Sequence, residues 1–159
     1  MRASTPHLFG EIIDGRMVLN DAGLIVQNCW HAIPTHFPTA FLDECVIMPN
    51  HMHGIVVINN VGAIHESPNE KPRNIRAIHE SPVQMTIVER RNMIIPKLIG
   101  RFKMQAAKQI NILRNTPGTP IWQRNYWERI IRDEREMLLV RQYIRNNPAQ
   151  WQHDDLNDV

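Results

Sequence analysis

His51 and His53 flank Met52 inside the apolar segment Cys45-Val46-Ile47-Met48-Pro49-Asn50-His51-Met52-His53-Gly54-Ile55-Val56-Val57-Ile58. In an extended strand alternate side chains share a face, so this spacing puts both imidazoles on one side and sends Met52 into the core on the other. Two imidazoles side by side are a ready pair of metal ligands; equally, two histidines on one strand face are often hydrogen-bonded structural groups. Far along the chain, Tyr143 and Asn147 stand four residues apart in a segment expected to be helical, which projects both side chains from one face about a turn apart. An asparagine carboxamide oxygen suits a hard divalent cation, and a tyrosine hydroxyl can attack phosphorus. The four residues together offer two nitrogen donors, one oxygen donor and one nucleophile.

The elements that must position them can be read from pattern and punctuation. Glu11 to Leu19 reads as two short strands around an Asp14-Gly15 hairpin turn. Asn20 or Asp21 then caps a helix running to about His36, with Leu24, Val26, Trp30 and Ile33 near helical spacing and Pro34 and Pro38 breaking it up. Ala40 to Pro49 and His51 to Asn59 are two apolar strands joined tightly at Pro49-Asn50. A long helix is expected from Ile94, with Pro96 tolerated in its first turn and Leu98, Phe102, Ala106, Ile110 and Leu113 as its apolar stripe. Ile121 to Arg132, rich in aromatic and β-branched residues, reads as a strand. Asp133 with Glu136 three residues later opens a last helix, Glu134 to Asn147, which Pro148 is expected to end. The order is that of an α+β fold with helices packed on a sheet.

The segment from Asn60 to Pro82 breaks this pattern. Ala63-Ile64-His65-Glu66-Ser67-Pro68 recurs word for word as Ala77-Ile78-His79-Glu80-Ser81-Pro82. Two copies are too few for a solenoid, so a surface loop inserted at about 60–83 into a single domain spanning 1–159 is the expected organisation.

The chain has 159 residues and a net charge of only +2, but its charge is unevenly placed. Residues 1–70 carry two basic and seven acidic groups, residues 71–152 sixteen basic and six acidic, and the tail adds Asp154, Asp155 and Asp158. A basic half of that size favours a polyanionic partner such as DNA or RNA. Cys29 and Cys45 have no C-x-x-C spacing, so neither a disulfide framework nor a cysteine zinc site is expected. No apolar run is long enough to span a bilayer and Met1 to Gly10 has no signal-peptide character, so a cytoplasmic protein without membrane contact is expected.

Five segments in order carry a resemblance to a known family: Met48-Pro49-Asn50-His51-Met52-His53-Gly54-Ile55-Val56, Gly100-Arg101-Phe102-Lys103, Ile121-Trp122-Gln123-Arg124-Asn125-Tyr126-Trp127-Glu128, Ile131-Arg132-Asp133-Glu134 and Tyr143-Ile144-Arg145-Asn146-Asn147-Pro148. The chain resembles the single-tyrosine HUH transposases, and among them the REP-associated tyrosine transposases. The resemblance implies a ferredoxin-like antiparallel sheet backed by helices. It also implies His51, His53 and Asn147 as ligands of a divalent metal, Mg2+ or Mn2+, and Tyr143 as the nucleophile. The implied substrate is single-stranded or hairpin DNA, cut through a 5′-phosphotyrosine intermediate, with the protein nucleoid-associated when bound. Lys97, Arg101, Lys103, Lys108, Arg124, Arg129, Arg132, Arg141 and Arg145 are the phosphate-contact candidates. Tyr126, the other tyrosine, is followed four residues on by Ile130, which cannot ligate a metal, so core packing or base stacking is its expected role.

One part of the family pattern is absent. The family's first apolar strand precedes the segment matching Leu8-Phe9-Gly10-Glu11 and pairs near the two-histidine strand, whereas Met1 to His7 is too short and polar to supply it. Three readings follow: a DNA-cleaving and joining enzyme, a truncated protein that binds DNA hairpins without cutting them, and a metal-dependent hydrolase that uses the histidines with an activated water.

Overall fold

The computed structural model describes residue 1 and residues 7–59 and 93–153. The repeat at about 60–83 lies outside them. Strands β1 (Gly10–Ile13) and β2 (Arg16–Leu19) form the first hairpin, paired from Gly10 with Leu19 to Ile13 with Arg16. Asp14 and Gly15 turn the chain with φ of 50° and 71°, the two consecutive left-handed residues that a two-residue hairpin turn requires. Helix α1 (Asp21–His31) starts where Asn20 caps it, the Asn20 Oδ1 accepting the Gly23 N–H at 3.0 Å. After Ala32 a single turn, α2 (Ile33–His36), carries Pro34 at its start, where a missing N–H costs nothing.

Strands β3 (Ala40–Ile47) and β4 (Met52–Ile58) form an antiparallel ribbon. Helix α3 (Ile94–Leu113) packs against α1, and helix α4 (Glu134–Gln150) lies across β3 before a 3-10 turn, Trp151–His153. The fold is α+β. The two hairpins form separate two-stranded sheets among the described residues, where the ferredoxin-like reading places one sheet.

The ribbon has two different faces. Met52 points into the main core with Val26, Trp30, Leu98, Phe102, Ala106 and Ile110. Trp30 and Phe102 meet edge to face at 5.5 Å between ring centroids, and Phe102 leads on to Trp122 at 5.7 Å. Gly54 lets this layer close, because a Cβ there would stand 2.5 Å from Trp30 Cζ2. The opposite face, with His51 and His53, looks toward α4. Beside it Met1 exchanges two backbone hydrogen bonds of 2.6 Å with Met52, so the β4 edge expected to lack a neighbour is paired at that residue.

Three sequence expectations are corrected. Ile121 to Arg132 is irregular: Asn125 is left-handed at φ 64°, and the Lys103 ammonium takes up the Gln123 and Asn125 carbonyls at 2.6 and 3.0 Å. Those carbonyls are satisfied by a side chain instead of a neighbouring strand. Helix α4 runs through Pro148 to Gln150, because so near the C-terminus the proline forfeits one backbone bond without stopping the turn. Leu113 is half exposed; the α3 stripe is buried only as far as Ile110. No helix of the described residues is long and apolar enough to cross a membrane.

Candidate active site

β4 begins at the tight Pro49-Asn50 turn, and the two-residue period then brings His51 and His53 together. Their Nε2 atoms lie 3.1 Å apart, and the rings meet edge to face at 4.8 Å. His51 is buried, and its Nδ1 lies 2.8 Å from the buried Asn50 Oδ1. A carboxamide oxygen only accepts, so the tautomer with its proton on Nδ1 suits this contact and would leave the Nε2 lone pair toward His53. An outer partner on the far nitrogen is the arrangement that orients metal-binding imidazoles.

Helix α4 supplies the lid of this site. Its N-terminus is fixed by Asp133, whose Oδ1 accepts the Glu136 N–H at 2.7 Å, while Glu136 Oε2 accepts the Arg132 N–H at 2.9 Å. Tyr143 sets its ring edge-on against His53, with centroids 5.3 Å apart and planes at 79°. Two turns later Trp151 lies over His51 at 5.8 Å. Asn147 is midway along that stripe, between the two residues whose rings touch the histidines. It is buried at 3% exposure, and its Oδ1 has no hydrogen-bond partner among the described residues.

That orphaned acceptor decides whether the residues fit a cation. Leaving a buried oxygen unpaired costs about 1–3 kcal/mol, which a metal ion would remove. Two nitrogens bound at right angles to one ion, each about 2.1 Å from it, stand about 3.0 Å apart, close to the separation of the histidine pair. The spacing of the imidazole pair therefore fits one divalent ion, and the unpartnered Asn147 oxygen is a donor of suitable chemistry. No group of three His, Cys, Asp or Glu residues that could hold a metal is present among the described residues, so Asn147 is the candidate third donor.

How α4 is held was not legible from spacing. β3 carries one extra residue between Leu42, opposite Val56, and Cys45, opposite Gly54. This bulge lets the consecutive carboxylates of Asp43 and Glu44 both reach α4, where a regular strand would point them to opposite faces. Asp43 takes Arg141 in a two-pronged pair, Nε to Oδ1 at 2.8 Å and Nη2 to Oδ2 at 2.6 Å, and Glu44 takes Arg145. The Arg141 hydrogen bonds hold the Asp43 carboxyl down at about 2, below its ordinary 3.8. These two pairs bracket Tyr143 along the helix.

The phosphate-contact candidates are thus scattered in role. Arg141 and Arg145 are committed to carboxylates, Arg129 pairs with Glu136, and Lys103 braces the 121–132 segment, burial pushing its ammonium below the ordinary lysine value. Arg101 contacts His36. Lys97, Lys108, Arg124 and Arg132 are exposed. Tyr126 is partly buried and packs against the core. Trp151 and Asn50 were missed in the sequence; the signal for Trp151 was its place four residues beyond Asn147 on the same helical stripe.

No family model matches the chain, and no solved structure matches it. An uncharacterized protein of Haemophilus influenzae is 40% identical over 153 residues, an alignment covering 94% of this chain and 77% of that protein.

Proposed function

We propose that this chain, which belongs to the same family as the Haemophilus influenzae protein, is a DNA strand transferase of the single-tyrosine HUH type, resembling the REP-associated tyrosine transposases. The observation that carries the reading is the α4 stripe: a tyrosine and a buried, unpartnered carboxamide oxygen one turn apart, on the helix whose Tyr143 ring touches one of two converging imidazoles. A structural histidine pair explains neither the orphaned oxygen nor the nucleophile beside it.

His51, His53 and Asn147 would hold Mg2+ or Mn2+, which when bound supplies positive charge for a phosphate oxygen. Tyr143 supplies the covalent chemistry. Its Oη forms a bond to phosphorus, the P–O3′ bond breaks, and the departing 3′-oxygen takes a proton. The phenol gives its own proton to solvent, to which its half-exposed ring is open. The product is a 5′-phosphotyrosine, and attack by another 3′-hydroxyl restores the tyrosine and joins the strands without a nucleotide cofactor. Asn50 keeps His51 in the tautomer that presents Nε2, and the Asp43 and Glu44 pairs keep Tyr143 over His53. The substrate is single-stranded or hairpin DNA, which places the protein at the nucleoid.

The test is incubation with a library of hairpin oligonucleotides and Mn2+. The expected product is a covalent protein–DNA adduct that survives denaturation, with the added mass of a 5′-phosphorylated fragment on Tyr143. Cleavage without an adduct indicates a hydrolase acting through water, and binding without cleavage indicates a hairpin-binding module; either result overturns the proposal.

A further inference from the structure

α3 diverges from the α1–α2 corner over a cavity of about 170 Å3. It lies in the α1–α3 layer, whereas the histidine pair faces α4 from the other side of the ribbon. Its wall is apolar, made by buried Ile33, Leu98 and Phe102. Its mouth is polar, with Arg101, His36, Gln105 and Asn28.

Arg101 is the informative residue. Its Nη2 is 3.3 Å from both Nδ1 and Nε2 of His36, so it is shared between the two ring nitrogens instead of being committed to one of them. Its Nε is buried with no acceptor among the described residues, and none of the ion pairs among them uses this guanidinium. A buried N–H without an acceptor is a standing penalty that a ligand oxygen relieves.

Size and lining define the ligand. An apolar cavity of about 150 Å3 holds a benzene-sized ring, so this one takes a single planar ring with the remainder of the molecule at the mouth. A purely apolar ring would leave Arg101 unsatisfied, and a bare anion would leave the apolar wall uncovered. The Gln105 and Asn28 amides, each both donor and acceptor, suit the edge of a heterocycle. An arginine fork suits a phosphate.

We propose that this cavity binds one nucleotide unit, with its base ring against Ile33, Leu98 and Phe102 and its phosphate on Arg101. The proposal does not depend on Tyr143 cleaving DNA. The occupant is either a free mononucleotide or one unstacked nucleotide of a single strand, and the same experiment separates them.

The probes are the four 5′-deoxymononucleotides, thymidine, inorganic phosphate and the tetramer (dT)4, titrated calorimetrically into the full chain. At least one mononucleotide is expected to bind saturably, with dTMP at least tenfold tighter than thymidine or phosphate alone. Arg101→Gln lowers that affinity at least tenfold, and Ala32→Trp, which fills the mouth from the helix junction, abolishes it. Both variants are to match the wild-type Tm, and Tyr143→Phe and His51→Ala are to leave the affinity unchanged. Tighter binding of (dT)4, lost in both pocket variants, assigns the site to a strand; no gain over dTMP assigns it to the free nucleotide. Absence of saturable binding, phosphate binding as tightly as dTMP, or affinity that survives both pocket variants overturns the proposal. An adduct without pocket binding defeats this inference alone, and pocket binding without an adduct defeats only the strand-transfer reading.

Discussion

Tyr143 holds its ring edge against the face of His53, 5.3 Å between centroids, while lying 90 residues away from it in the chain. Everything proposed for the site depends on α4 staying in that position over β4.

Tyr143→Phe keeps the ring contact and removes only the hydroxyl. It is expected to abolish the denaturation-resistant DNA adduct, while Tyr126→Phe, altering a ring packed against the core, retains it. Equal adduct yield from Tyr143→Phe and wild type, read on a denaturing gel, sinks the assignment.

Asn147→Leu separates a ligand from a structural residue. Because the Oδ1 is already buried without a partner, replacing the amide by an apolar group of similar size is expected to leave Tm unchanged or raise it. Mn2+ affinity, followed by calorimetry, is expected to fall at least tenfold. A large loss of Tm with unchanged Mn2+ affinity would mean that the amide serves the fold.

Asp43→Asn is expected to lower the unfolding temperature by a few degrees at neutral pH, since it breaks the two-pronged Arg141 pair. The sign of its pH dependence follows from the depressed carboxyl. Stability from the pair is fully present above the unfolded value of 3.8 and is lost as pH falls toward about 2. Urea denaturation from pH 7 to pH 2 should therefore show wild type converging on Asp43→Asn in that acid window; a constant difference across it contradicts the assignment.

Gly54→Ala places a methyl group 2.5 Å from Trp30 Cζ2, against a rigid ring already fixed by Phe102. Overpacking of this kind costs about 1–3 kcal/mol. An unchanged urea midpoint would show that the ribbon and α1 part more easily than their packing implies.

Binding to a DNA hairpin is expected to weaken steeply with salt. Arg124→Gln, which removes an exposed cation, should reduce the slope of log K against log salt by roughly 0.7–0.9, whereas Arg141→Gln should leave it unchanged because Asp43 already holds that charge. A flat salt response in wild type argues against a phosphate-dominated interface.

What the sequence determined by itself is whatever a few neighbouring residues decide. Asp14-Gly15 specifies a turn because both residues take left-handed backbone, Asn20 and Asp133 start helices by satisfying orphan N–H groups, and the two-residue period pairs His51 with His53. The four-residue step likewise put Tyr143 and Asn147 on one stripe. The 121–132 segment was illegible because strand-forming side chains do not make a strand without a neighbour, and here a lysine from α3 takes its carbonyls. Only the tertiary structure decided how α4 crosses the ribbon. Asp43 meets Arg141 across 98 residues, and Glu44 meets Arg145 across 101, through a bulge whose register no local pattern announces. That crossing sets Trp151 on His51 and Tyr143 on His53 and buries Asn147 between them along the helix, which brings the two short sequence patterns together.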